Sequence, residues 1–505
     1  MSAFSRNVAA NLAGTGWSAL VQLAVVPLLV ARLGVESYAL VGFYAALLAA
    51  LGILDLGLLP TLTRKMASVG KAGPGDRPGD VLCSFAWVFL GVGVAAGVCL
   101  AFSAGLIAEH WFRTVSLGRD EVQIAVQLMG VLFALKWIAS PYAAVMQGLQ
   151  QQVSLNVVNA SMVTLANVGA LLALSWFGQT IVVFLLWQCL AAALQLVWLR
   201  ARAVGALPPQ ATPPRFDRHA LLESWRFSAG VAGIALMGTV LAQSDKLLLS
   251  KLVSLDEYGY YSIAQVLVAG LQVITLPIFN AAMPRMCELA AAGDESGLRS
   301  FFQASSELMN ALLVPAAAFM ALFSHQIMLM WLGAGEAAVR AAPLLQLLAG
   351  GLLLNGLMNM PYALQLARGN TRLALAINGA LCVLIVPAIF LLVGAYGLQG
   401  GAAVSVLMNG LYLAVGLPLT YRACLRSGGS ARFYLRLLSQ QGVALVILVA
   451  AWLWLPVSLP AWATAVVLAL ALTFAMLASL AFTPSARALL GELLGLHPTG
   501  GARGA

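Results

Sequence analysis

The sequence predicts an all-α integral membrane protein of about fourteen transmembrane helices, arranged as two parallel six-helix repeats followed by two extra C-terminal helices. Three observations support this prediction. Hydrophobic residues make up 61% of the chain and charged residues only 9%, whereas soluble domains carry about 25% charged residues. Apolar runs of about 18 residues or more, long enough for a helix to cross a bilayer, recur along the whole sequence. The two halves of the chain also match each other at one constant offset.

The apolar runs place six predicted helices before a linker rich in Pro and Arg, at residues 8–31, 37–62, 81–108, 122–147, 153–177 and 179–199. Eight predicted helices follow the linker, at residues 227–250, 257–283, 303–331, 341–366, 373–393, 397–420, 437–455 and 460–482. The runs are continuous rather than alternating, which favours helices over the strands of a membrane barrel. No small-residue cleavage site follows the first run, so we expect a retained first helix rather than a removed signal peptide.

The linker, at residues 200–218, joins two copies of one unit. At an offset of 220 positions, Tyr38 matches Tyr258 and the pair Pro141 and Tyr142 matches the Pro-Tyr pair at 361–362. Six helices return the chain to its starting side, so the repeats are predicted to be parallel rather than inverted. The predicted divisions are a first lobe, a linker, a second lobe, two extra helices and a tail, at residues 1–203, 204–224, 225–425, 426–483 and 484–505.

Positive charge falls mainly on one side of the predicted membrane. Of the 27 Lys and Arg residues, 20 lie on the side of the N-terminus, five on the opposite side and two within spans. Positively charged loops stay in the cytoplasm during insertion, so both termini are predicted to be cytoplasmic. The net charge of +9 follows from this topology and gives no indication of a nucleic acid partner.

The cysteines and histidines predict no disulfide, metal site or cofactor. The six cysteines are scattered, mostly within or at the ends of spans, and no pair has the spacing of metal ligands. The four histidines are isolated from one another along the sequence. The cysteines are therefore interpreted as small buried hydrophobic residues.

Several short motifs resemble those of one transporter family. They keep the same order along the chain, at residues 32–38 (Arg-Leu-Gly-Val-Glu-Ser-Tyr), 55–58, 63–66, 243–251 and 258–262. Together they resemble Wzx-type oligosaccharide flippases, within the multidrug/oligosaccharidyl-lipid/polysaccharide exporter superfamily. The likeness extends over nearly the whole chain, including the two extra helices.

The resemblance implies two lobes around a central cavity that work by alternating access. It implies that the substrate and main partner is an undecaprenyl-diphosphate-linked oligosaccharide, such as an O-antigen repeat unit. The substrate would move from the cytoplasmic to the outer leaflet of the bacterial inner membrane without covalent chemistry, so the protein would not be an enzyme. A coupling ion, H⁺ or Na⁺, and a polysaccharide polymerase are further expected partners, beside the membrane lipids.

Lys136 is the deepest charge in the predicted first lobe. It lies fourteen residues into its span, near the membrane midplane at about 1.5 Å per residue. A charge there costs about 2.5–3.5 kcal/mol on insertion scales, so it usually faces a cavity or an ionic partner. We interpret Lys136 as a contact for the diphosphate of the lipid carrier. The alternative is an ion pair with Asp55 or another carboxylate that joins two helices.

Six other charged residues complete the candidate set. The predicted substrate pathway also includes Lys246, Arg32, Lys251 and Arg64, and possible ion-coupling residues are Asp55 and Asp245. Because neighbouring residues point about 100° apart on a helix, Asp245 and Lys246 are not expected to form a proper pair. The alternatives are that Lys246 reaches the membrane interface and that Asp55 only makes an interhelical or helix-end contact. Arg32 and Lys251 oppose the charge asymmetry and could guide an anionic lipid head at the outer gate.

Three other functions remain open from the sequence. A cation-coupled multidrug antiporter of the same superfamily would need carboxylates in its cavity, whereas the deepest charge here is a lysine. A lipid II flippase would share a basic cavity. A membrane polysaccharide polymerase or glycosyltransferase would need acidic catalytic residues in large external loops, and the longest predicted one, at 108–121, has only about fourteen residues.

Overall fold

The computed structural model describes residues 3–68, 77–208, 213–425, 429–456 and 459–493, and within these ranges the chain is helical with no named strand. The first half contains α1 to α8 and one 3₁₀ helix, η1: α1 Ala3–Leu33, α2 Val35–Leu51, η1 Gly52–Asp55, α3 Leu58–Ala67, α4 Pro78–His110, α5 Arg119–Gly148, α6 Gln152–Phe177, α7 Ile181–Gly205 and α8 Arg218–Leu252. The second half contains α9 Leu255–Ala269, α10 Gln272–Ala291, α11 Glu295–Leu322, α12 Ser324–Leu332, α13 Glu336–Leu357, α14 Asn359–Ala367, α15 Thr371–Cys424, α16 Ser430–Trp454, α17 Ala461–Ala481 and α18 Pro484–Leu493. The predicted all-α membrane architecture is confirmed. The predicted tail beyond residue 493 and the loop at 69–76 lie outside the described residues.

In the described ranges, ten helices are long and apolar enough to cross a membrane, or eleven if the bent pair α9 and α10 is one span. The predicted number of fourteen is therefore not confirmed, although it is close. Part of the difference lies in α15, which merges two predicted spans across a kink at Gly397, whose φ is 57°. Another part lies in α16, whose apolar segment Ser439–Trp454 is shorter than the other candidate spans.

The second predicted span, at 37–62, is broken rather than continuous. Glycines within an apolar run leave its hydropathy high but allow the backbone to leave the helical region. Here α2 ends before η1, and Leu56 and Gly57 then adopt left-handed φ values of 47° and 78°. The short helix α3 therefore starts in a new direction and carries Arg64 in its last turn.

The chain forms two compact units, Met1–Ser262 and Ile263–Ala505. In the first unit, α5 packs against α4 and α7, α6 packs against α1 and α7, and α8 packs against α2. In the second unit, α13 packs against α11 and α15, and α10 packs against α11 and α14. Asp294 starts α11 by accepting a hydrogen bond from the Gly297 amide at 2.8 Å, and this bond holds the pKa of the Asp294 carboxyl below its ordinary value.

The C-terminal helices α16, α17 and α18 all pack against α11. Glu307 of α11 is buried, and its carboxylate lies 2.7 Å from the Arg436 guanidinium of α16 and accepts a hydrogen bond from Ser485 of α18. Ser479 of α17 donates to the Ala311 carbonyl at 2.8 Å. One face of α11 thus holds all three helices through buried polar contacts.

Glycines bring α4 and α5 into backbone contact. A Cβ added to Gly97 would lie 2.8 Å from the Gly130 carbonyl oxygen, and one added to Gly130 would lie 2.6 Å from the Gly97 oxygen. Without a hydrophobic force between helices in lipid, such close approach of small residues is a main source of helix association. Gly91, on the same helix α4, is exposed and has open space at its Cβ position.

We expect Gly97→Ala to destabilise the protein by about 1–3 kcal/mol, because the two backbones must separate to admit the methyl group. Gly91→Ala is the matched control and should leave stability unchanged or raise it by up to about 1 kcal/mol through helix propensity. Thermal unfolding of the two variants in detergent, followed by size-exclusion chromatography, measures the difference. Equal melting temperatures would show that α4 and α5 do not depend on this contact.

Candidate functional site

Lys136 lies in the interior of the first unit, on α5. Its side chain is half-buried, and its Nζ atom lies 6.0 Å from the centre of the Tyr44 ring on α2. Helix α7 packs against both α5 and α2. The Tyr44 hydroxyl is buried, and no hydrogen-bond partner for it is found in the described part of the chain. The positive charge and the Tyr44 hydroxyl therefore lie among three helices that pack against one another.

The alternative in which Lys136 pairs with Asp55 is wrong for the described residues. The ion pairs found there do not include Lys136. The Asp55 carboxylate instead accepts a hydrogen bond from the Leu59 amide at 2.8 Å, in the first turn of α3. A carboxylate is favoured there because the first amides of a helix lack partners and carry partial positive charge. Asp55 thus makes the helix-end contact that was its alternative reading.

Asp245 and Lys246 do meet, so the expectation that they would not pair is wrong. The Lys246 Nζ atom lies 3.4 Å from Asp245 Oδ1 and donates a hydrogen bond to the Ala242 carbonyl. The lysine stem is long enough to fold back along the helix, which offsets the 100° between adjacent positions. The Tyr261 hydroxyl donates to Asp245 Oδ2 at 2.6 Å, so the buried carboxylate accepts from two groups.

Arg32 and Lys251 both make contacts within the first unit. Arg32, in the last turn of α1, donates to the Leu171 carbonyl at 2.9 Å and to the Ser175 hydroxyl, both on α6. Lys251, in the last turn of α8, lies 5.0 Å from the centre of the Trp111 ring, within the range of a cation–π interaction. Arg64 is exposed at the end of α3. Of the seven predicted residues, the structure brings only Asp245 and Lys246 into direct contact among the contacts found in its described ranges.

Glu36 is a polar centre that the sequence analysis did not single out. It is 6% exposed, and its carboxylate binds the loop between α4 and α5, residues 111–118, defined here as the α4–α5 loop. The amides of Val115, Ser116 and Leu117 donate to Glu36 at 2.5, 2.8 and 3.1 Å, and the Ser116 hydroxyl donates as well. The only signal in the sequence is one acidic residue opening an apolar helix, which does not identify a loop about 80 positions away.

The same loop is also held from α8 and α9. The Trp111 indole donates to the Ser250 hydroxyl at 3.0 Å, and the Leu255 amide donates to the Arg113 carbonyl at 2.9 Å. Leu255 begins α9, just as the residue before Glu36 begins α2. The α4–α5 loop therefore bridges the two junctions, α1–α2 and α8–α9, that correspond to each other in the predicted repeat.

In the described ranges, no group of three His, Cys, Asp or Glu side chains has an arrangement that could hold a metal ion. The first unit instead combines a half-buried ammonium group with polar groups on helices that cross a membrane. Such an arrangement can bind an anionic group without forming a covalent bond to it.

Comparison with known proteins gives the following similarities. The family model described as "Polysaccharide biosynthesis protein" matches residues 4–290. A relative from Shigella flexneri, named "Putative O-antigen transporter", is 20% identical over 419 residues, which cover 81% of this chain and 96% of the relative.

Two solved structures share the fold. One is a multidrug resistance MATE family transporter of the MOP superfamily in an inward-facing conformation, with a TM-score of 0.68, 14% identity and coverage of 83% of this chain and 95% of that chain. The other is the lipid II flippase MurJ in an inward closed conformation, with a TM-score of 0.67, 10% identity and coverage of 95% and 98%. The fold is therefore that of the MOP superfamily transporters.

Proposed function

Because the chain belongs to the polysaccharide biosynthesis protein family, we propose that it is a flippase for undecaprenyl-diphosphate-linked oligosaccharide. It moves the repeat unit of a surface polysaccharide or O-antigen from the cytoplasmic to the outer leaflet of the bacterial inner membrane. The transport proceeds by alternating access and involves no enzymatic step. Both termini lie in the cytoplasm, in agreement with the excess of Lys and Arg on that side.

The observation that carries this proposal is Lys136. A half-buried lysine with no carboxylate partner among the described residues is unfavourable inside a membrane protein unless an anion or water meets it. A lipid-linked diphosphate supplies that anion, and an ammonium group is a compact, strongly charged donor for phosphate oxygens. The nearby Tyr44 hydroxyl, for which no partner is found among the described residues, adds a second donor. The relative named as an O-antigen transporter supports the same class of substrate.

A cation-coupled multidrug antiporter is less well supported by the charges. Its cavity would present carboxylates, but Asp55 is bound to the start of α3 and Asp245 accepts hydrogen bonds from Tyr261 and Lys246. If an ion is coupled to transport, Asp245 is the better candidate, because its carboxylate is buried in contact with a tyrosine and a lysine.

As part of the same proposal, a polysaccharide polymerase in the same membrane uses the exported repeat units as its substrate.

The proposed function predicts which leaflet holds the substrate when the gene is deleted. We expect completed lipid-linked repeat units to accumulate on the cytoplasmic leaflet and surface polysaccharide to be lost. The measurement is extraction of the lipid-linked intermediates with an assay of their sidedness, and the control is the deletion strain carrying the intact gene. Accumulation on the outer leaflet would instead indicate a polymerase, and a change in drug sensitivity alone would indicate an antiporter.

A further inference from the structure

The first unit contains a polar cavity that lies apart from Lys136. Its volume is about 410 Å³, and it is formed where α1 begins, where α5 passes into α6 and where α7 ends. Its polar and aromatic lining consists of Asn7, Gln150, Gln151, Ser154, Trp198 and Arg202. Fourteen residues separate Lys136 from Gln150, so the two sites are about 21 Å apart along the helix axis. Small-ligand sites usually have volumes of this order.

Gln150 adopts a backbone conformation that a glutamine rarely takes. Its φ is 59°, in the left-handed region, and it lies two positions beyond Gly148, the last residue of α5. The Gln151 amide donates to the Met146 carbonyl at 2.8 Å and the Gln150 amide to the Gln147 carbonyl at 3.1 Å. These two bonds define the Schellman ending of a helix, in which glycine usually occupies the left-handed position. A side chain there is strained, because its Cβ approaches the following carbonyl oxygen.

Other helices of this chain end in the same turn with glycine. After α10 the left-handed residue is Gly293, and after α14, which is the predicted counterpart of the end of α5, it is Gly369. The first unit therefore keeps a glutamine where the same turn elsewhere has glycine. Backbone strain of this kind is concentrated at binding and catalytic sites, where the side chain has a use. The strain and the cavity are independent observations that point to the same residue.

The polar groups in the cavity are already oriented. Asn7 donates from its amide to the Gln150 side-chain oxygen at 3.2 Å, and among the described residues no hydrogen bond is found to the Gln150 amide hydrogens or the Asn7 oxygen, which can therefore meet a ligand. Trp198 and Arg202 are four residues apart on α7 and thus share one face. Side-chain amides both donate and accept hydrogen bonds, which suits a ring bearing several hydroxyl groups. An aromatic ring covers the apolar face of such a sugar, and a guanidinium group binds its oxygens. The amide oxygens can accept hydrogen bonds from sugar hydroxyl groups, whereas an ionised phosphate has few hydrogens to donate to them.

We propose that this cavity binds a pyranose ring of the transported glycan before translocation. The inference rests on the proposed function and adds a second contact to it: Lys136 binds the diphosphate, and the cavity at the ends of α5 and α7 recognises a sugar. Gln150 and Asn7 bind the ring hydroxyls, Trp198 covers the ring face, and Arg202 binds an exocyclic oxygen or an acidic substituent. The cavity thereby contributes to the selection of one repeat unit over another.

The test is binding of glycan to the purified full-length protein in lipid nanodiscs. The probe is the free oligosaccharide released by mild acid from the lipid-linked intermediates of the source strain, and inorganic phosphate is a second probe. We expect Gln150→Gly and Arg202→Gln each to weaken glycan binding by about tenfold or more, the factor that corresponds to one or two lost hydrogen bonds. Saturation-transfer NMR and calorimetry measure the affinity.

Two control variants match these changes. Leu56→Gly relieves left-handed strain at another non-glycine residue of the first unit, whose φ is 47°, and Arg200→Gln removes a neighbouring exposed charge that does not line the cavity. Both should retain the affinity of the unaltered protein. Gln150→Gly should also melt at the same temperature as that protein or above it, because glycine is unstrained in this turn. Its loss of binding would then not reflect misfolding.

Several outcomes would overturn the proposal: no binding of glycan to the unaltered protein, equal affinity in Gln150→Gly, or a response to Arg202→Gln with phosphate but not with glycan. The proposed function fails separately, when the deletion strain exports polysaccharide normally. The two proposals can also separate. If lipid-linked units accumulate on the cytoplasmic leaflet but Gln150→Gly binds glycan normally, the flippase function is supported and the cavity is not the sugar site.

Discussion

Replacing Lys136 by methionine is expected to lower polysaccharide export by roughly 10- to 100-fold, which corresponds to the loss of a charged hydrogen bond of about 1.5–3 kcal/mol. The protein itself should remain folded. Methionine keeps the length and apolar stem of lysine and removes only the ammonium group. Because no carboxylate of the described residues pairs with that group, its removal leaves no unpaired partner behind.

The melting temperature of Lys136→Met distinguishes a substrate contact from a structural role. Were Lys136 needed to join helices, methionine would lower the melting temperature and the amount of protein in the membrane. As a half-buried charge it is a cost to the fold, so Lys136→Met should melt at the same temperature or higher. Lys136→Arg keeps the charge in a larger group and should retain part of the export, since a guanidinium also binds phosphate but needs more room.

The measurement is surface polysaccharide in a deletion strain that carries each variant at equal protein levels, checked by immunoblot. Lys65→Met is the matched control, because it removes the same charge from the end of α3, outside the apolar spans. Normal export by Lys136→Met at normal protein level would remove Lys136 from the substrate pathway. It would also leave the half-buried lysine without a function.

Hydropathy predicted the fold well, because the bilayer requires long apolar helices whose backbone groups are satisfied internally. It did not predict where helices break. The break between α2 and α3 depends on the left-handed residues Leu56 and Gly57, and a window average over an apolar run is insensitive to them. The kink in α15 shows the opposite case, since Gly397, whose φ is 57°, lies at the boundary predicted between the spans 373–393 and 397–420.

The candidate charges were found from the sequence because charges within apolar spans are rare. The residues that they contact could not be identified in this way. Side-chain length decides the contact between Lys246 and Asp245, and periodicity takes no account of length. Tyr261 reaches Asp245 from the next helix, and Glu36 reaches a loop that follows another helix. These contacts depend on how helices pack, which one sequence does not give. The strain at Gln150 is equally hidden, because only the hydrogen bonds of the turn show that glycine is expected there.

Replacing Glu36 by glutamine is expected to lower the free energy of unfolding by about 2 kcal/mol, within the cost of leaving buried polar groups without partners. The Glu36 carboxylate accepts three amide hydrogens and one hydroxyl from the α4–α5 loop. A glutamine has one acceptor oxygen, so its amide nitrogen must face a donor from the loop. At least one bond is then replaced by a repulsive contact between two donors.

The consequence should extend beyond Glu36, because the α4–α5 loop also binds the α8–α9 junction. Once the amides of Val115 to Leu117 are released, the loop will hold Trp111 and Arg113 less firmly against Ser250 and Leu255. Hydrogen exchange of the loop peptide should therefore become faster in Glu36→Gln, since amides protected by the carboxylate become accessible to water. Gly259 packs closely against the Val35 carbonyl, and this contact does not involve the loop. The backbone amides around Gly259 should therefore stay protected from hydrogen exchange.

Glu109→Gln is the control for this experiment. Its side chain is exposed, near the end of α4, and its carboxylate lies 3.9 Å from the Nδ1 atom of the exposed His110, so both melting temperature and hydrogen exchange should stay unchanged. Ser116→Ala removes only the hydroxyl bond to Glu36 and should produce a smaller loss than Glu36→Gln. If Glu36→Gln and Glu109→Gln exchange their loop amides at the same rate, the carboxylate does not hold the loop. The corresponding junctions α1–α2 and α8–α9 would then be joined by the contacts of Trp111 and Arg113 alone.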